Sequence, residues 1–318
     1  MRIALVAAAA VLALAAAEAT LRVRRLVPDN VPLLYRAIDG DEAFAPRPGS
    51  GGTSVMGIAH RANSLGLRGP ERPASKRPMV RRIVVVGDSV VWAHGVADGE
   101  GLVSRLERLL DRPDRPTETW NLGVPATNMF NHAARFARLG PLLQPDETVV
   151  MLLPNDLMAA PQRFRVTAGG SISRVGRASW FPDAWRPLLE RLALYWLAAR
   201  RFDPLLRGAP SVANPATKTE DYFPAMAGRL DAMADLAQSL GSGFMIALVP
   251  SLQVSAEQNS ALERKLASYA ESRRVRFIPL RATLGNPIRP EAVLAFDQWH
   301  PSPEGHRLMA EALAAVLR

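Results

Sequence analysis

The sequence of 318 residues contains no cysteine, and this absence removes several kinds of chemistry at once. Disulfide bridges, thiolate catalysis and cysteine-based zinc sites are excluded. The chain also lacks a Walker A loop, a G-x-G-x-x-G after a strand, an H-E-x-x-H pair and an EF-hand loop. No cofactor and no metal ion is therefore implied, and the absence of cysteine leaves the cellular compartment open.

Lysine is scarce, so arginine supplies most of the net charge of +9. One interpretation is a solvated basic surface, and the other is contact with an anionic membrane surface or an acidic polymer. Nucleic acid is not expected as a partner, because no basic helix, RNA-binding strand motif or finger spacing occurs. The hydrophobic content of 48% is typical of a globular chain with one large or two small domains.

The first 25 residues have the layout of a secretory signal. Arg2 precedes an uncharged apolar run from Ile3 to Ala17, and small residues then offer two A-x-A cleavage sites, ending at Ala17 and Ala19. A retained membrane anchor is the alternative, and a buried helix of a cytosolic protein is the third. We expect an extracytoplasmic protein, periplasmic or secreted, that is either cleaved or tethered by this segment.

The composition and hydrophobic pattern of the rest of the chain change at residue 81. Residues 26–80 are rich in proline and glycine and predict a leader or linker, with a short hairpin around Asn63 to Gly69. Beyond them, five short apolar runs alternate with amphipathic helical patterns, which predicts a parallel sheet with helices on both faces over residues 81–318. The five predicted strands are Ile83–Val86, Thr119–Leu122, Thr148–Leu153, Phe244–Val249 and Val275–Ile278.

Residues 157–222 are too long for a simple crossover between two of these strands. They include a helical stripe of Leu188, Leu189, Leu192, Tyr195, Trp196 and Ala199, flanked by arginines. An extra helix packed on the core, a lid over a binding pocket and an interfacial helix that touches a membrane all fit this pattern.

A serine and a histidine with a nearby carboxylate carry the predicted chemistry. Ser89 follows a strand, a glycine and an aspartate, so its side chain is expected at the carboxyl edge of the sheet. Asp297 precedes His300 by three residues in a loop ahead of a capped helix, a spacing at which the carboxylate can orient the imidazole. These residues predict a serine nucleophile, Ser89, with His300 as its base and Asp297 as the orienting group.

Two further positions can supply hydrogen bonds to an oxyanion. Asn155 follows a predicted strand and offers a side-chain amide, and Gly123 offers a backbone N–H with no Cβ in the way. The backbone N–H of Ser89 can add a third donor. The other four histidines are interpreted as structural: His60, His94, His132 and His306.

In these blocks the chain resembles the SGNH hydrolases, also called the GDSL esterase/lipase family. The matching blocks are Gly87-Asp88-Ser89, Gly123, Asn155-Asp156 and Asp297 to His300. The resemblance covers roughly residues 80–318 and implies a flavodoxin-like α/β/α sandwich. It also implies an oxyanion hole of Ser89, Gly123 and Asn155. Leu153 stands where the family often has glycine, and Val90 stands where the family's name has leucine.

The expected function is that of a serine esterase acting through an acyl-enzyme. The expected substrate is an O-acyl ester, either an O-acetyl group of an envelope or exopolysaccharide glycan or a lipid ester. An O-acyltransferase that uses the same site and a non-catalytic envelope protein that retains the fold are the two alternatives. The absence of any G-x-S-x-G motif argues against the ordinary α/β-hydrolase fold.

Overall fold

The computed structural model describes residues 2–24, 26, 35–53, 57–157, 160–166, 172–174, 185–189, 191–202, 222–252, 254–294 and 300–318. The helices are α1 (Arg2–Val23), α2 (Ser89–Trp92), α3 (Leu102–Leu110), α4 (Met129–Leu143), α5 (Arg186–Leu189), α6 (Ala193–Phe202), α7 (Phe223–Ser239), α8 (Ala256–Arg273), α9 (Arg281–Leu284) and α10 (Pro303–Leu317). The strands are β1 (Tyr35–Ala37), β2 (Phe44–Pro46), β3 (Gly51–Thr53), β4 (Ala59–Arg61), β5 (Arg81–Gly87), β6 (Thr117–Gly123), β7 (Glu147–Leu152), β8 (Phe164–Val166), β9 (Ile172–Arg174), β10 (Gly243–Leu248) and β11 (Arg276–Pro279).

A five-stranded parallel sheet forms the centre of the fold, in the order β11-β10-β7-β5-β6. All five predicted strands are confirmed within two residues at either end. The first strand of the sheet in chain order, β5, lies between the second and the third, β6 and β7. This 2-1-3-4-5 order is that of flavodoxin-like folds, in which ligands bind where the strand order reverses. The switch point lies between β5 and β7.

Strand β5 shows why the apolar runs fold as they do. Ile83 and Val85 face the layer of α3 and α10, while Val84 and Val86 face the layer of α4, α7 and α8. All four side chains are fully buried. Because both faces are covered, alternate residues cannot be polar, and the strand becomes a continuous apolar run. Each such side chain stabilises the fold by roughly 1.5–3 kcal/mol relative to exposure.

Side-chain caps fix the starts of two long helices of the domain. Ser255 and Gln258 form a capping box at the start of α8, and Ser302 caps α10 through the amide of Gly305. Helix α4 has no continuous apolar stripe, because its buried face includes three polar residues, Asn131, His132 and Arg135.

Parts of the segment predicted as a leader or linker, residues 26–80, are packed against the domain. Strands β1 and β2 form an antiparallel hairpin whose Phe44 is fully buried. Buried Glu42 pairs with Arg135 (3.3 Å) and Arg138 (2.6 Å) of α4. An ion-pair cluster therefore holds a segment whose composition resembles a linker. Ala62 pairs with Arg68 across the turn predicted near Asn63.

The insert, residues 157–222, is more than a helix. It begins with the antiparallel pair β8–β9, whose Phe164 ring meets Phe44 edge-on at 5.3 Å between centroids. The single helical stripe predicted beyond it is divided between α5 and α6. At the other end of the chain, α1 is long and apolar enough to cross a membrane, judged by length and composition alone.

Candidate active site

Ser89 is the first residue of α2, directly after β5 at the switch point of the sheet. Gly87 makes the sharp exit from the strand possible, since a Cβ there would overlap the Val91 side chain and approach the Met151 carbonyl oxygen at 3.2 Å. Asp88 caps α2 by accepting a hydrogen bond from the Val90 amide at 2.9 Å. Because Ser89 begins a helix, its own N–H has no intrahelical acceptor and is available to a ligand.

His300 reaches Ser89 from the opposite end of the sequence. Its Nε2 lies 2.9 Å from Ser89 Oγ, and both side chains are buried. The Leu294 amide donates to the His300 carbonyl oxygen at 2.8 Å, and Val293 pairs with Pro301, so the backbone around the histidine is tied down. The structure thus brings together the predicted nucleophile and the predicted base at hydrogen-bonding distance.

A second imidazole, that of His94, lies against the first. The ring centroids of His94 and His300 are 4.6 Å apart and the planes are tilted by 39°. His94 follows Ala93, which ends α2 in a left-handed conformation with φ 63°. Interpreting His94 as purely structural therefore missed its contact with the base. The only signal in the sequence was its position five residues after Ser89.

Asn155 lies in a 3-10 turn, Pro154–Asp156, just beyond the end of β7. Its side chain interacts with the carboxylate of Asp88, next to the nucleophile, and lowers the pKa of that group against the effect of burial. The neighbouring Asp156 holds the turn by accepting a hydrogen bond from the Leu153 amide at 2.7 Å. The turn that carries the second predicted oxyanion donor is thus tied to two buried aspartates, Asp88 and Asp156.

The side chains of Asp88 and Asp156 are both almost completely buried, which is unusual for carboxylates. Burial raises the pKa of Asp88, against the opposing effects of the Val90 amide, His300 and Asn155. Burial and the charge of Asp88 raise the pKa of Asp156 well above its ordinary value of 3.8. Asp156 Oδ1 has no hydrogen-bond partner among the described residues, and His132 Nε2 is 3.9 Å away. Asp156 therefore binds a proton more tightly in the folded protein than in the unfolded chain.

Gly123 has a different environment from the one predicted. Its amide donates to Asn121 Oδ1 at 2.9 Å, and Asn121 Nδ2 donates to the Val91 carbonyl oxygen of α2 at 2.7 Å. A Cβ on Gly123 would overlap the Trp92 nitrogen and lie 2.7 Å from the Val91 carbonyl carbon. The glycine therefore lets β6 approach α2 closely. Its amide can serve an oxyanion only if the bond to Asn121 opens.

The remaining predicted residues divide into two groups. Asp297 lies outside the described residues, so its orienting role stays a prediction. His306 Nδ1 accepts a hydrogen bond from the Leu102 amide at 3.2 Å and so caps α3. Burial is the main cause that lowers the pKa of His60 to about 2 and those of His132 and His306 to about 3, so all three are neutral at physiological pH.

Within the described ranges, no group of three or more potential ligands is arranged to hold a metal ion. The polar groups around Ser89 are instead a base, a carboxylate cap and amide donors. Such an arrangement can activate a hydroxyl and stabilise an oxyanion. It is suited to acyl transfer.

The chain matches the model of the GDSL-like lipase/acylhydrolase family over residues 85–308. No curated protein matches the chain.

Among solved structures, an acetylxylan esterase from Geobacillus stearothermophilus is similar at 17% identity and TM-score 0.47, over 74% of this chain and 93% of that one. The psychrotrophic esterase EstA from Pseudoalteromonas sp. has 12% identity and TM-score 0.47, over 74% and 96%. A GDSL-like lipase from Bacteroides thetaiotaomicron has 13% identity and TM-score 0.43, over 74% and 87%.

Proposed function

Because the chain belongs to the GDSL-like lipase/acylhydrolase family, a family of serine hydrolases, we propose that it cleaves O-acyl esters through an acyl-enzyme on Ser89. The observation that carries this proposal is the 2.9 Å contact between Ser89 Oγ and His300 Nε2. A hydroxyl at this distance from an imidazole nitrogen can transfer its proton as it attacks a carbonyl carbon.

The proposed reaction has two halves. Ser89 Oγ attacks the ester carbonyl while His300 Nε2 takes the hydroxyl proton, and the tetrahedral intermediate then expels the alcohol, which receives that proton from His300. A water molecule next attacks the acyl-enzyme, with His300 again as base, and releases the acid and free Ser89. Asp297 is proposed to hold the imidazole in the tautomer that leaves Nε2 free to accept.

The oxyanion needs donors that are in place before charge develops. The N–H of Ser89 at the start of α2 and the side-chain amide of Asn155, which interacts with Asp88, are the proposed donors. Gly123 is the predicted third donor, and its amide is bonded to Asn121.

We propose that the substrate lies outside the cytoplasm and is an O-acetylated envelope glycan or exopolysaccharide, with a lipid ester as the second substrate class. The apolar helix α1 and the net charge of +9 support an extracytoplasmic enzyme that works near anionic polymers or lipids. Transfer to a sugar hydroxyl instead of water uses the same acyl-enzyme, so the acceptor has to be determined by experiment.

The test is hydrolysis of p-nitrophenyl esters from acetyl to long acyl chains, with Ser89→Ala, His300→Ala and, as a matched control, Ser239→Ala on an exposed helix end. We expect the first two variants to lose about 10³-fold or more in kcat and the control to lose none. A chain-length optimum at acetyl supports a glycan substrate, and an optimum at long chains supports a lipid.

Two additions separate the alternatives. An alkyl fluorophosphonate should add one adduct to Ser89, detected by mass spectrometry, and none in Ser89→Ala. An oligosaccharide acceptor that receives the acyl group faster than water would identify a transferase. Absence of both turnover and adduct would overturn the enzymatic proposal and favour a non-catalytic role.

A further inference from the structure

The end of the apolar helix α1 is joined to the insert by a cap. The carboxylate of Glu18 accepts hydrogen bonds from the amides of Ala193 and Leu194, each at 2.9 Å. These are the first two residues of α6, where amides have no partner within the helix. Glu18 thus acts as an N-terminal cap supplied from another helix, and its negative charge is favourable at that end of α6.

Two neighbours of Glu18 extend this contact. Arg22 donates to Glu18 at 2.6 Å and to the Arg191 carbonyl oxygen at 2.6 Å, so it links both segments. Leu21 is buried in a small apolar cluster with Ala193, Tyr195 and Trp196 of α6. The last turn of α1 is therefore docked on the insert by polar and apolar contacts together.

Removal of the segment as a signal would break this junction. Cleavage after Ala19 deletes Glu18, and cleavage after Ala17 leaves it as the unprotected first residue of a six-residue helix. A helix of that length has no independent stability in water. A carboxylate in an apolar helix is also costly in a bilayer unless it is paired. Here it is paired, one turn from the helix end, where the polar interface of a bilayer begins.

Beside this junction the insert exposes large apolar side chains. Trp185 is 65% exposed, Leu188 69%, Leu192 42% and Leu197 48%. We call these four residues the apolar patch. Water is a poor environment for such a group, whereas tryptophan and leucine beside arginine suit a lipid–water interface. The patch lies on and beside α5 and α6, and α6 contacts α1, a helix that is itself long and apolar enough to span a membrane.

We propose that α1 is retained as a bilayer anchor and that the apolar patch inserts into the interface of the same bilayer, held there by the cap that Glu18 provides to α6. The occupant of the patch is thus lipid, because the patch adjoins the exit point of the proposed span. Arg22 and Arg24 at that exit can contact lipid phosphates. The proposal does not depend on the esterase activity.

The absence of cysteine makes a site-specific test straightforward. The full chain carrying Leu188→Cys, labelled with a fluorophore, is reconstituted in anionic vesicles with and without brominated lipid. Met79→Cys, at a 93% exposed position before β5, is the matched control. We expect quenching on the order of two-fold at position 188 and none at position 79. Equal emission at 188 with and without brominated lipid would mean that lipid does not contact the patch, and would overturn the proposal.

Two measurements test the roles of the anchor and the cap. The intact mass of chain recovered from membranes should include residues 2–19, and a chain that starts at Glu18 or Thr20 would refute retention. Glu18→Ala in the Leu188→Cys background should reduce the quenching to the control level while α1 keeps the chain on the vesicles. Unchanged quenching in Glu18→Ala would refute the cap's role. A thermal unfolding curve of this variant checks that the domain remains folded.

Discussion

The guanidinium of Arg68 donates to the main-chain carbonyl oxygen of Trp92 at 2.6 Å, at the end of the helix that carries Ser89. The same group also contacts the Ala93 carbonyl oxygen and donates to that of Val96 at 2.6 Å and to Asp98 at 2.8 Å. A single side chain from the segment before β5 thus satisfies the carbonyl groups at the end of α2 that a four-residue helix cannot pair by itself.

We expect Arg68→Met to destabilise the domain by about 3 kcal/mol, because several buried carbonyl oxygens lose a charge-assisted donor. The variant should also lose activity, since α2 positions Ser89. Urea unfolding measures the first effect and ester hydrolysis the second. Arg112→Met, whose partner Asp114 is equally exposed, is the control, with an expected change below about 0.5 kcal/mol. Equal losses in the two variants would contradict the bracing role of Arg68.

The second prediction concerns the close approach of β6 to α2. Gly123→Ala places a methyl group against the backbone of Trp92 and Val91, so one element has to move. We expect a loss of about 1–3 kcal/mol together with reduced kcat. Gly228→Ala, in the open exposed face of α7, should instead stabilise by about 0.5–1 kcal/mol. Thermal unfolding of both variants compares them. A stable, fully active Gly123→Ala would show that the contact is dispensable.

Much of the fold can be predicted from the pattern of apolar residues. The elements that this pattern does not indicate have physical causes. The strand β5 was predictable because burial of both faces leaves only apolar residues in it. Helix α4 is not evident from the apolar pattern, because its inner face binds backbone groups through Asn131 and Arg135, which donate to the Asp41 and Phe44 carbonyl oxygens. Residues 35–46 look like a linker for the same reason, since their attachment depends on Glu42 and not on periodicity.

The active site likewise has features that the sequence predicts and features that it does not. Ser89 and Asn155 were predictable because polar residues that end neighbouring parallel strands meet at one edge of the sheet. The contact of His94 with His300 depends on the left-handed turn at Ala93, which no residue pattern indicates. The Gly123 amide donates to Asn121 Oδ1 instead of remaining free for an oxyanion. The sequence contains no signal for this bond.

The third prediction tests the carboxylate that orients His300. We expect Asp297→Asn to lower kcat by about 10⁴-fold, because an amide favours the tautomer in which Nε2 carries the proton. Steady-state hydrolysis of p-nitrophenyl acetate measures this loss. Retention of activity within about tenfold would transfer the orienting role to another carboxylate. Asp88, whose buried side chain interacts with His300, would be that carboxylate.

The fourth prediction concerns the pH dependence of stability that Asp156 causes. Its pKa in the folded protein is raised above 3.8 by burial and by Asp88, so the folded state binds the proton more tightly than the unfolded state does. The contribution of this group to stability is therefore complete below pH 3.8 and is lost as the pH rises through the folded-state pKa, by up to about 1.4 kcal/mol per pH unit. Asp156→Asn should remove this loss.

The asparagine variant keeps an oxygen for the Leu153 amide and has no charge to bury, so its advantage over the unmodified protein should grow with pH. Urea unfolding from pH 4 to pH 8 measures the difference in unfolding free energy at each pH. Asp235→Asn removes the same formal charge from a side chain that is 71% exposed and serves as the control. A difference that stays constant across the range would mean that Asp156 is ionised in the folded protein, with a partner for its charge. A growing difference would show that the turn holding Asn155 depends on a protonated acid.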